Sequence, residues 1–272
     1  MNREVKHSVL RYFGGKWGIA PWILSFMPSH KVYVEPFGGG GSILLRKPRS
    51  HTEVYNDLDG EVVNVFRVLR DKSNELIRAL DLTPYSREEY YSAYSGNESI
   101  DDVERARRAI VRAFMGFGSD AIFNRDKTGF RAVGSEDSGV SCAKSWDQYV
   151  DTLLAVVDRL KGVLIENKNA AELIPVWDKL GVVFYIDPPY VAETRASSKK
   201  HKYNYEMTSF QHKELLQLLC GLKGTVILSG YENDLYGRYL SGWERHTKKV
   251  FADTGLAEGA DRERIEVIWI KR

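Results

Sequence analysis

The segment whose residue types most clearly indicate a chemical role is Asp187–Tyr190, with the sequence Asp-Pro-Pro-Tyr. It follows Val182–Ile186, a run with the length and the β-branched and aromatic content of a buried strand. Because proline has no backbone N–H for the ladder, this strand must end near Asp187. Two prolines also fix two φ angles, so the carboxylate and the Tyr190 ring have little freedom. We expect the loop to hold a flat, amino-bearing ring; an ordinary strand exit with a turn is the alternative.

A glycine-rich turn is the second candidate, in the segment Pro36-Phe-Gly-Gly-Gly-Gly-Ser42 after the strand-like run Val32–Glu35. Such a turn lets a ligand approach the backbone closely. Dinucleotide-binding loops require glycine at the sixth motif position, which is Ile43 when counted from Gly38. No lysine follows the glycines to form a phosphate loop, so an adenosine ligand without phosphates fits better. A tight strand-to-helix turn with no ligand is the alternative.

Asp57 ends the next strand-like run and lies 17 positions after Gly40. In dinucleotide-binding folds, an acidic residue roughly 20 positions beyond the glycines binds the ribose. Asp57 is therefore a candidate for both ribose hydroxyls. The alternative is a helix N-cap, but Asp59 suits the cap of the helix expected after Gly60 and leaves Asp57 free for a sugar.

The segments that carry these residues alternate between strand and helix patterns. Strand-like runs occur at Val32–Glu35, Glu53–Asn56, Val163–Glu166, Val182–Ile186 and Thr225–Leu228. Apolar residues recur at helical spacing after Gly60, and they do so again after an expected N-cap at Thr208 or Ser209. This alternation predicts an α/β fold with a mixed, mostly parallel sheet, whose carboxyl edge binds ligands. We expect the last residues, Ile265–Trp269, to add an antiparallel edge strand paired with residues 247–251.

Residues 81–160 interrupt the alternation, because their apolar runs are helical or irregular and no buried strand is evident. We predict an inserted, mainly helical domain at 81–160, which leaves 1–80 and 161–272 to the α/β domain. Alternating segments around Asp126-Lys127-Thr128-Gly129 predict a hairpin with glycine in the turn. A long basic hairpin of this kind can enter a groove.

Two clusters of basic residues are candidates for contacts with phosphates. They are Arg125, Lys127 and Arg131 in the predicted hairpin, and Lys199, Lys200 and Lys202 after the Asp187–Tyr190 segment. Acidic residues interleave with the first cluster, so a solvated face is an equal alternative there, whereas only Glu193 lies near the second. The net charge of +2 over the whole chain is too small to indicate a nucleic-acid binder by itself.

Length and composition limit the class of protein. The 272 residues suit one large domain or a domain with an insertion. Cys142 and Cys220 are isolated and histidines are not clustered, so neither a disulfide framework nor a metal site is expected. The chain shows no apolar stretch of membrane-spanning length and no signal peptide, from which we expect no membrane association and a cytoplasmic location.

Four short motifs, in order along the chain, resemble those of the Dam-like DNA adenine methyltransferases. They are an aromatic residue before Gly-Gly-Lys at Tyr12–Lys16, Pro-Phe-x-Gly-Gly at Pro36–Gly40, Asn56-Asp57, and Asp187–Tyr190. The resemblance spans nearly the whole chain. It implies a Rossmann-like methyltransferase fold with an S-adenosylmethionine-binding catalytic domain at 1–80 and 161–272, and a DNA target-recognition domain with a hairpin at 81–160.

The resemblance also implies the methyl donor and its product, S-adenosylhomocysteine. The residues expected to bind the donor are Tyr12, Lys16, Phe37, Gly38, Gly40, Asp57, Asn169 and Asp187. Asn169 stands where relatives often carry an aspartate that meets the adenine amino group of the donor. Its amide oxygen can accept the same hydrogen bond, and capping of the next helix is the alternative.

The expected chemistry is direct methyl transfer to the exocyclic amino group of adenine in double-stranded DNA. The lone pair of that nitrogen is delocalised into the ring, and two acceptors, Asp187 and the Pro188 carbonyl, would localise it by accepting both amino hydrogens. Displacement then needs no covalent enzyme intermediate and no metal. Base flipping would expose the adenine, and the Tyr190 ring would stack on it. We expect Asp187, Pro188 and Tyr190 to be the catalytic residues.

Other functions remain open at this point. Cytosine amino methylation or RNA adenine methylation would keep the enzyme class, although the leading aspartate favours adenine. A DNA-binding regulator without turnover is the alternative from another class. A nucleotide-dependent dehydrogenase is disfavoured by Ile43 and by the absence of a phosphate-binding loop. We expect a bacterial or phage-encoded enzyme that acts as a monomer or weak dimer, with a restriction nuclease as the candidate partner.

Overall fold

The computed structural model describes residues 4–95, 100–118, 128–132, 141–194, 203–251 and 263–272. The chain forms two compact units. The first comprises Met1–Ala20, Gly39–Lys47 and Asp59–Ile165, and the second comprises Pro21–Gly38, Pro48–Leu58 and Glu166–Arg272. The first unit contains the expected insertion, 81–160, together with segments from both sides of it. A target-recognition role for that stretch stays a prediction.

The described part of the chain contains one seven-stranded sheet. Its strands are β1 (Val32–Glu35), β2 (Thr52–Asn56), β3 (Val163–Glu166), β4 (Val182–Ile186), β5 (Thr225–Gly230), β6 (Glu244–Phe251) and β7 (Glu263–Lys271). The strand order is β3-β2-β1-β4-β5-β7-β6. Strand β1 pairs in parallel with β2 and β4, and β4 pairs in parallel with β5, whereas β7 is antiparallel to both β5 and β6. The predicted mixed, mostly parallel sheet is confirmed.

The C-terminal strand corrects one expectation. Strand β7 does pair antiparallel with β6, but β7 lies inside the sheet and β6 forms the edge. The consecutive residues Val267–Ile270 are all buried, which is typical of a strand covered on both faces. Strand β6 has the sequence Glu-Arg-His-Thr-Lys-Lys-Val-Phe, and such charged residues protect an exposed edge from pairing with other chains.

Ten α-helices occur among the described residues. They are α1 (Ala20–Leu24), α2 (Ser42–Arg46), α3 (Gly60–Asp71), α4 (Ser73–Asp81), α5 (Arg87–Ser92), α6 (Asp102–Met115), α7 (Cys142–Leu160), α8 (Ala170–Trp177), α9 (Ser209–Gly221) and α10 (Asp234–Tyr239). Polar side chains cap seven of them by accepting a hydrogen bond from a first-turn amide. At α9, Thr208 and Gln211 form a reciprocal capping box. Of the two predicted caps, Thr208 and Ser209, the structure therefore shows Thr208.

The sheet of the second unit uses its two faces differently, because successive side chains point to opposite sides of a strand. One face supplies Val34, Phe184, Leu228 and Trp269 to an apolar core completed by residues of α8, α9 and α10. The other face is also buried, and on it polar side chains lie among apolar ones such as Ile227 and Ile268. On it, the Tyr33 hydroxyl donates to Glu35 Oε2 at 2.7 Å, and the Tyr185 and Ser229 hydroxyls are 2.9 Å apart.

The first unit is built from helices. Helices α3, α4, α6 and α7 pack on one another through buried apolar residues such as Phe66, Leu76, Ile110 and Leu153. After α6 the chain turns back, and Gly116 and Phe130 form an antiparallel bridge. The bridge agrees with the base of the predicted hairpin. The tip, residues 119–127 with Arg125 and Lys127, lies outside the described residues.

An ion-pair network holds α5 and α6 together in the first unit. The guanidinium of Arg107 lies 2.6 Å from Glu104 and 2.8 Å from Glu89, and Arg108 lies 2.7 Å from Glu104. Hydrogen bonds from Arg107 and Arg108 lower the pKa of the Glu104 carboxyl from its ordinary value of 4.5. Because the folded pKa is depressed, this carboxylate stabilises the fold above the unfolded pKa, and the stabilisation is lost as the pH falls.

We therefore expect Glu104→Gln to weaken the pH dependence of stability below about pH 4.5, where the wild type loses this contribution. The measurement is the denaturant midpoint from pH 3 to pH 7. Glu75→Gln, which removes an exposed carboxylate from α4, is the matched control. Equal pH profiles for Glu104→Gln and the wild type would contradict a stabilising role for the network.

Candidate functional site

Three candidate residues follow the ends of three adjacent parallel strands in the second unit. Val34 of β1 is in register with Val54 of β2 and with Phe184 of β4. Phe37, Asp57 and Asp187 come just after the ends of these strands. Since parallel strands end at the same edge of a sheet, all three residues lie at its carboxyl edge, as predicted.

In the turn after β1, neighbouring side chains leave no room for a Cβ atom at Gly38 or Gly39. A Cβ atom at Gly38 would lie 2.2 Å from Cε2 of Tyr55, which is far inside contact distance. Gly39 has a φ of +48°, and a Cβ atom there would lie 2.6 Å from Cε1 of Tyr12. The glycine pattern is therefore explained without a ligand, which is the alternative stated for it above, and donor binding by Gly38 and Gly40 stays a prediction.

The Gly-Gly-Lys segment forms a tight turn in the first unit. Gly15 N donates to Tyr12 O at 3.1 Å, and the Tyr12 ring packs against Gly39. Lys16 is buried, and its Nζ donates to Gly14 O at 2.7 Å. Gly40 belongs to the same unit, where its carbonyl accepts from Val9 N at 3.3 Å. Tyr12, Lys16 and Gly40 thus belong to one unit, and the other candidate donor-binding residues belong to the second.

Asn56 ties three segments of the second unit together, although its side chain was not among the predicted site residues. Its Nδ2 donates to Pro36 O at 2.8 Å and to Lys168 O at 3.0 Å, while its Oδ1 accepts from Lys168 N at 2.8 Å. The residue is completely buried. These bonds fix the backbone on both sides of the β2 end, and the Asn-Asp motif was the sequence signal for the residue.

Asp59, and not Asp57, is the N-cap of α3, as expected. Asp59 Oδ1 accepts from Glu61 N at 2.9 Å and caps α3. Asp57 is mostly buried at the end of β2, and Asn167 Nδ2 holds its backbone carbonyl at 2.8 Å. The Asp57 side chain is thus not used as the helix cap. A carboxylate held in this position suits a ligand with two adjacent hydroxyls.

Asn169 is the N-cap of α8. Its Oδ1 accepts from Ala171 N at 3.0 Å, the hydrogen bond that an N-cap makes with the N2 amide. Helix capping therefore explains the residue without a ligand, as in the alternative stated above. Its contact with the methyl donor stays a prediction.

The Asp187–Tyr190 loop follows β4, and its tyrosine is held by one contact at the hydroxyl and another at the ring. The Tyr190 hydroxyl donates to Glu266 Oε1 of β7, and the Tyr190 ring meets Tyr231 edge to face, with centroids 4.8 Å apart and planes at 73°. Burial raises the pKa of the Tyr190 hydroxyl well above its ordinary value, and the negative charges of Asp187 and Glu266 raise it further. The hydroxyl therefore stays protonated and remains a donor.

Glu266 was missed by the sequence reasoning. It is a buried carboxylate inside the apolar run Ile265-Glu-Val-Ile-Trp269. A charged residue is rarely buried unless it is paired, so its position in such a run was the available signal. The sequence alone gave no means of assigning Tyr190, 76 positions away, as its partner.

The structure describes one of the predicted DNA-binding residues. Arg131 is half-buried, its N donates to Met115 O at 2.8 Å, and its carbonyl accepts from the Tyr85 hydroxyl at 2.6 Å. These contacts fix its backbone at the base of the hairpin. Lys199, Lys200 and Lys202, like Arg125 and Lys127, lie outside the described residues.

The described residues contain neither a candidate metal site nor a membrane-spanning helix. No group of three or more His, Cys, Asp or Glu residues is placed to hold a metal ion in that part of the chain. None of the helices described there has both the length and the apolar character needed to cross a membrane.

Comparisons with known proteins give a consistent result. The family model for D12 class N6 adenine-specific DNA methyltransferases matches residues 12–253. The chain is 21% identical over 267 residues to a DNA adenine methylase of Salmonella typhi, covering 94% of this chain and 92% of that protein. It is 22% identical over 278 residues to a type II methyltransferase of Methanocaldococcus jannaschii, covering 92% of each. A 108-residue match, 28% identical, to a DNA N-6-adenine-methyltransferase of Escherichia phage P1 covers 38% of this chain and 14% of that protein.

We expect Gly38→Ala to destabilise the fold by about 1–3 kcal/mol, because the added methyl group must displace the buried Tyr55 ring. Gly221→Ala is the control, since a Cβ atom there meets nothing within 4 Å. Urea unfolding gives both values. A Gly38→Ala variant as stable as Gly221→Ala would contradict the close approach of Tyr55.

We expect Asn56→Asp to cost about 3–5 kcal/mol, because a carboxylate would face the Pro36 and Lys168 carbonyls where an amide now donates. Asn169→Asp makes the same chemical change at a helix N-cap, where aspartate also caps well, so its stability should stay within about 0.5 kcal/mol of the wild type. The measurement is equilibrium unfolding in urea. Similar losses for the two variants would show that the Asn56 amide does not have this role.

Proposed function

Since the chain belongs to the D12 class N6 adenine-specific DNA methyltransferases, we propose that it transfers a methyl group from S-adenosylmethionine to the amino group of an adenine flipped out of duplex DNA. The observation that carries the proposal is the position of Asp187. It follows the last residue of β4 at the carboxyl edge of the sheet, where the neighbouring strand β1 and the next strand β2 also end, and it directly precedes two prolines. Family membership supports the reaction class, and this geometry supports the assignment of residues.

The residues present fit the methyl donor. Asp57 is a mostly buried carboxylate at the end of β2 that is not used as the cap of α3, and it suits the two ribose hydroxyls. Phe37, partly buried against the apolar core at the same edge, supplies an aromatic surface for the donor. When bound, S-adenosylmethionine supplies an electrophilic methyl group on a positively charged sulfur. We assign Tyr12 and Lys16 to the same ligand by resemblance.

Asp187 and the Pro188 carbonyl act on the adenine amino group. Both are acceptors, and hydrogen bonds to both amino hydrogens localise the nitrogen lone pair that the ring otherwise withdraws. As the N–C bond formed and the bond between the methyl group and the donor sulfur broke, positive charge would develop on the nitrogen. The Asp187 carboxylate would stabilise that charge by accepting a hydrogen bond from the amino group, and one amino proton would then be released to solvent. Alignment of the reactants in this way can lower the activation free energy by roughly 7–11 kcal/mol.

Base flipping makes the amino group accessible. Removing a base from the duplex costs a few kcal/mol, because stacking and pairing are lost. Stacking on an aromatic side chain returns about 1–3 kcal/mol per base, and Tyr190 is the aromatic residue beside Asp187. A ring that is already held in place loses little conformational entropy when the base arrives.

Recognition of the target sequence is assigned to residues 81–160 of the first unit. Arg125, Lys127 and Arg131 belong to the predicted hairpin, whose base agrees with the bridge between Gly116 and Phe130. Arginine can bond guanine bidentately in the major groove. Lys199, Lys200 and Lys202 are assigned to the phosphate backbone. We further propose a monomer or weak dimer, with a restriction nuclease as a candidate partner.

We expect Asp187→Ala to abolish methyl transfer, because the carboxylate acts on the target amino group. Donor affinity should fall far less than the transfer rate, although Asp187 is also a candidate contact of the donor. Transfer of labelled methyl from S-adenosylmethionine to duplex DNA measures the first, and isothermal titration with the donor measures the second. Asp158→Asn, a change in an exposed pair with Lys161, is the control.

Wild-type transfer by Asp187→Ala would contradict the catalytic assignment. Digestion of the labelled DNA to nucleosides identifies the base, and label in methylcytidine instead of methyladenosine would contradict the adenine assignment. No transfer by the wild type to any duplex, across several salt concentrations, would favour a DNA-binding regulator.

A further inference from the structure

The Tyr190 hydroxyl is used inside the protein, although stacking on a base requires only the ring. It donates to Glu266 Oε1, which belongs to β7, two strands away from β4 in the sheet. Phenylalanine would provide the same aromatic surface for a base. The hydroxyl therefore needs an explanation other than stacking, and its bond to Glu266 provides one.

Glu266 is placed for this contact by the register of the sheet. Gly230 of β5 is in register with Val267 of β7, so Tyr231 and Glu266 lie next to each other just beyond this pair. Both reach Tyr190, Glu266 at the hydroxyl and Tyr231 at the ring. A tyrosine has two side-chain torsions, and a bond at the far end of the ring together with a packed edge fixes both.

Glu266 is buried at 4% exposure. Burial of a carboxylate is unfavourable without hydrogen bonds, and a hydroxyl that donates to a carboxylate forms one of the stronger bonds of this kind. Burial of the Tyr190 hydroxyl raises its pKa well above the ordinary value, and the charges of Asp187 and Glu266 raise it further, so the proton stays on the tyrosine. Glu266 thus acts as an acceptor, and an uncharged amide oxygen can accept the same hydrogen bond.

We propose that Glu266 and Tyr231 are positioning residues that hold the Tyr190 ring in the orientation in which it stacks on the flipped adenine. Neither residue needs to touch the donor or the DNA. The inference rests on the proposed function, because it assumes that a flipped base meets Tyr190. It adds Tyr231, which follows β5, and Glu266 of β7 to a site otherwise assigned to the ends of β1, β2 and β4.

The test compares four variants: Glu266→Ala, Glu266→Gln, Tyr190→Phe and the double variant Tyr190→Phe/Glu266→Ala. We expect Glu266→Ala and Tyr190→Phe each to lower kcat by up to about 100-fold, with an unchanged dissociation constant for S-adenosylmethionine, because misplaced groups lose transition-state alignment. Glu266→Gln keeps an acceptor and should stay within about threefold of the wild type. The double variant should be no slower than the slower single variant, because both single changes remove the same bond.

A second readout reports the base itself. DNA with 2-aminopurine at the methylated position, located by sequencing DNA from an expressing host, fluoresces when that base leaves the stack. The wild type should raise the fluorescence, and Glu266→Ala and Tyr190→Phe should change its intensity in the same way. Glu244→Gln, which alters an exposed carboxylate on β6 bonded to His246 and Arg272, is the control and should match the wild type.

The outcomes separate the inference from the proposed function. The positioning role would be overturned if the fold-loss in kcat of the double variant equalled the product of the two single losses, or if Glu266→Ala had the wild-type kcat. Either result would leave the proposed methyl transfer standing. No fluorescence change with active wild type would contradict the flipped base, and with it the stacking role. If Glu266→Ala does not fold, as judged by circular dichroism, Tyr190→Phe and Glu266→Gln carry the test, and equal kcat values for these two would overturn the proposal.

Discussion

The second unit depends on where its parallel strands end, and one buried amide fixes much of that. Asn56 both donates and accepts, so it holds Pro36 after β1 and Lys168 after β3 against the end of β2. No aliphatic side chain can replace these three bonds, and a carboxylate would reverse the polarity of two of them. Asp57, the ribose candidate, follows directly, and its backbone carbonyl is held in turn by Asn167. The position of this candidate ribose-binding carboxylate is thus set by its neighbour.

The sheet divides stability and chemistry between its two faces. The face with Phe184 and Trp269 is apolar and packs on helices, which gives the strands a fixed register. The opposite face places tyrosine hydroxyls next to acceptors, at Tyr33 with Glu35 and at Tyr190 with Glu266. Buried polar groups of this kind are costly unless they are satisfied, so they specify one arrangement more strictly than apolar packing does. This strictness suits a site that must align an amino nitrogen with a methyl group.

Much of the fold was predictable from local patterns. Five strands were placed correctly because short β-branched runs bounded by glycine, proline or acidic residues have few alternatives. Asp59 was recognised as a cap, and Thr208 was one of two candidate caps, by their position before apolar helical runs. The position of the C-terminal strand was wrong in one respect, since it lies inside the sheet. Strand order depends on which faces are covered, and neighbouring residues in the sequence do not contain that information.

The sequence by itself determined the chemistry of the candidate site, because Asp-Pro-Pro-Tyr, the glycine turn and Asn-Asp each have a local meaning and occur in the order of a known family. Only the tertiary structure decided why several of these residues are needed. Gly38 and Gly39 make room for the rings of Tyr55 and Tyr12, Asn169 caps a helix, and Glu266 holds Tyr190 from a strand 76 positions away. The physical reason is that steric fit and hydrogen bonding act between residues that folding brings together. Sequence patterns record the residue types that meet these demands, but not their partners.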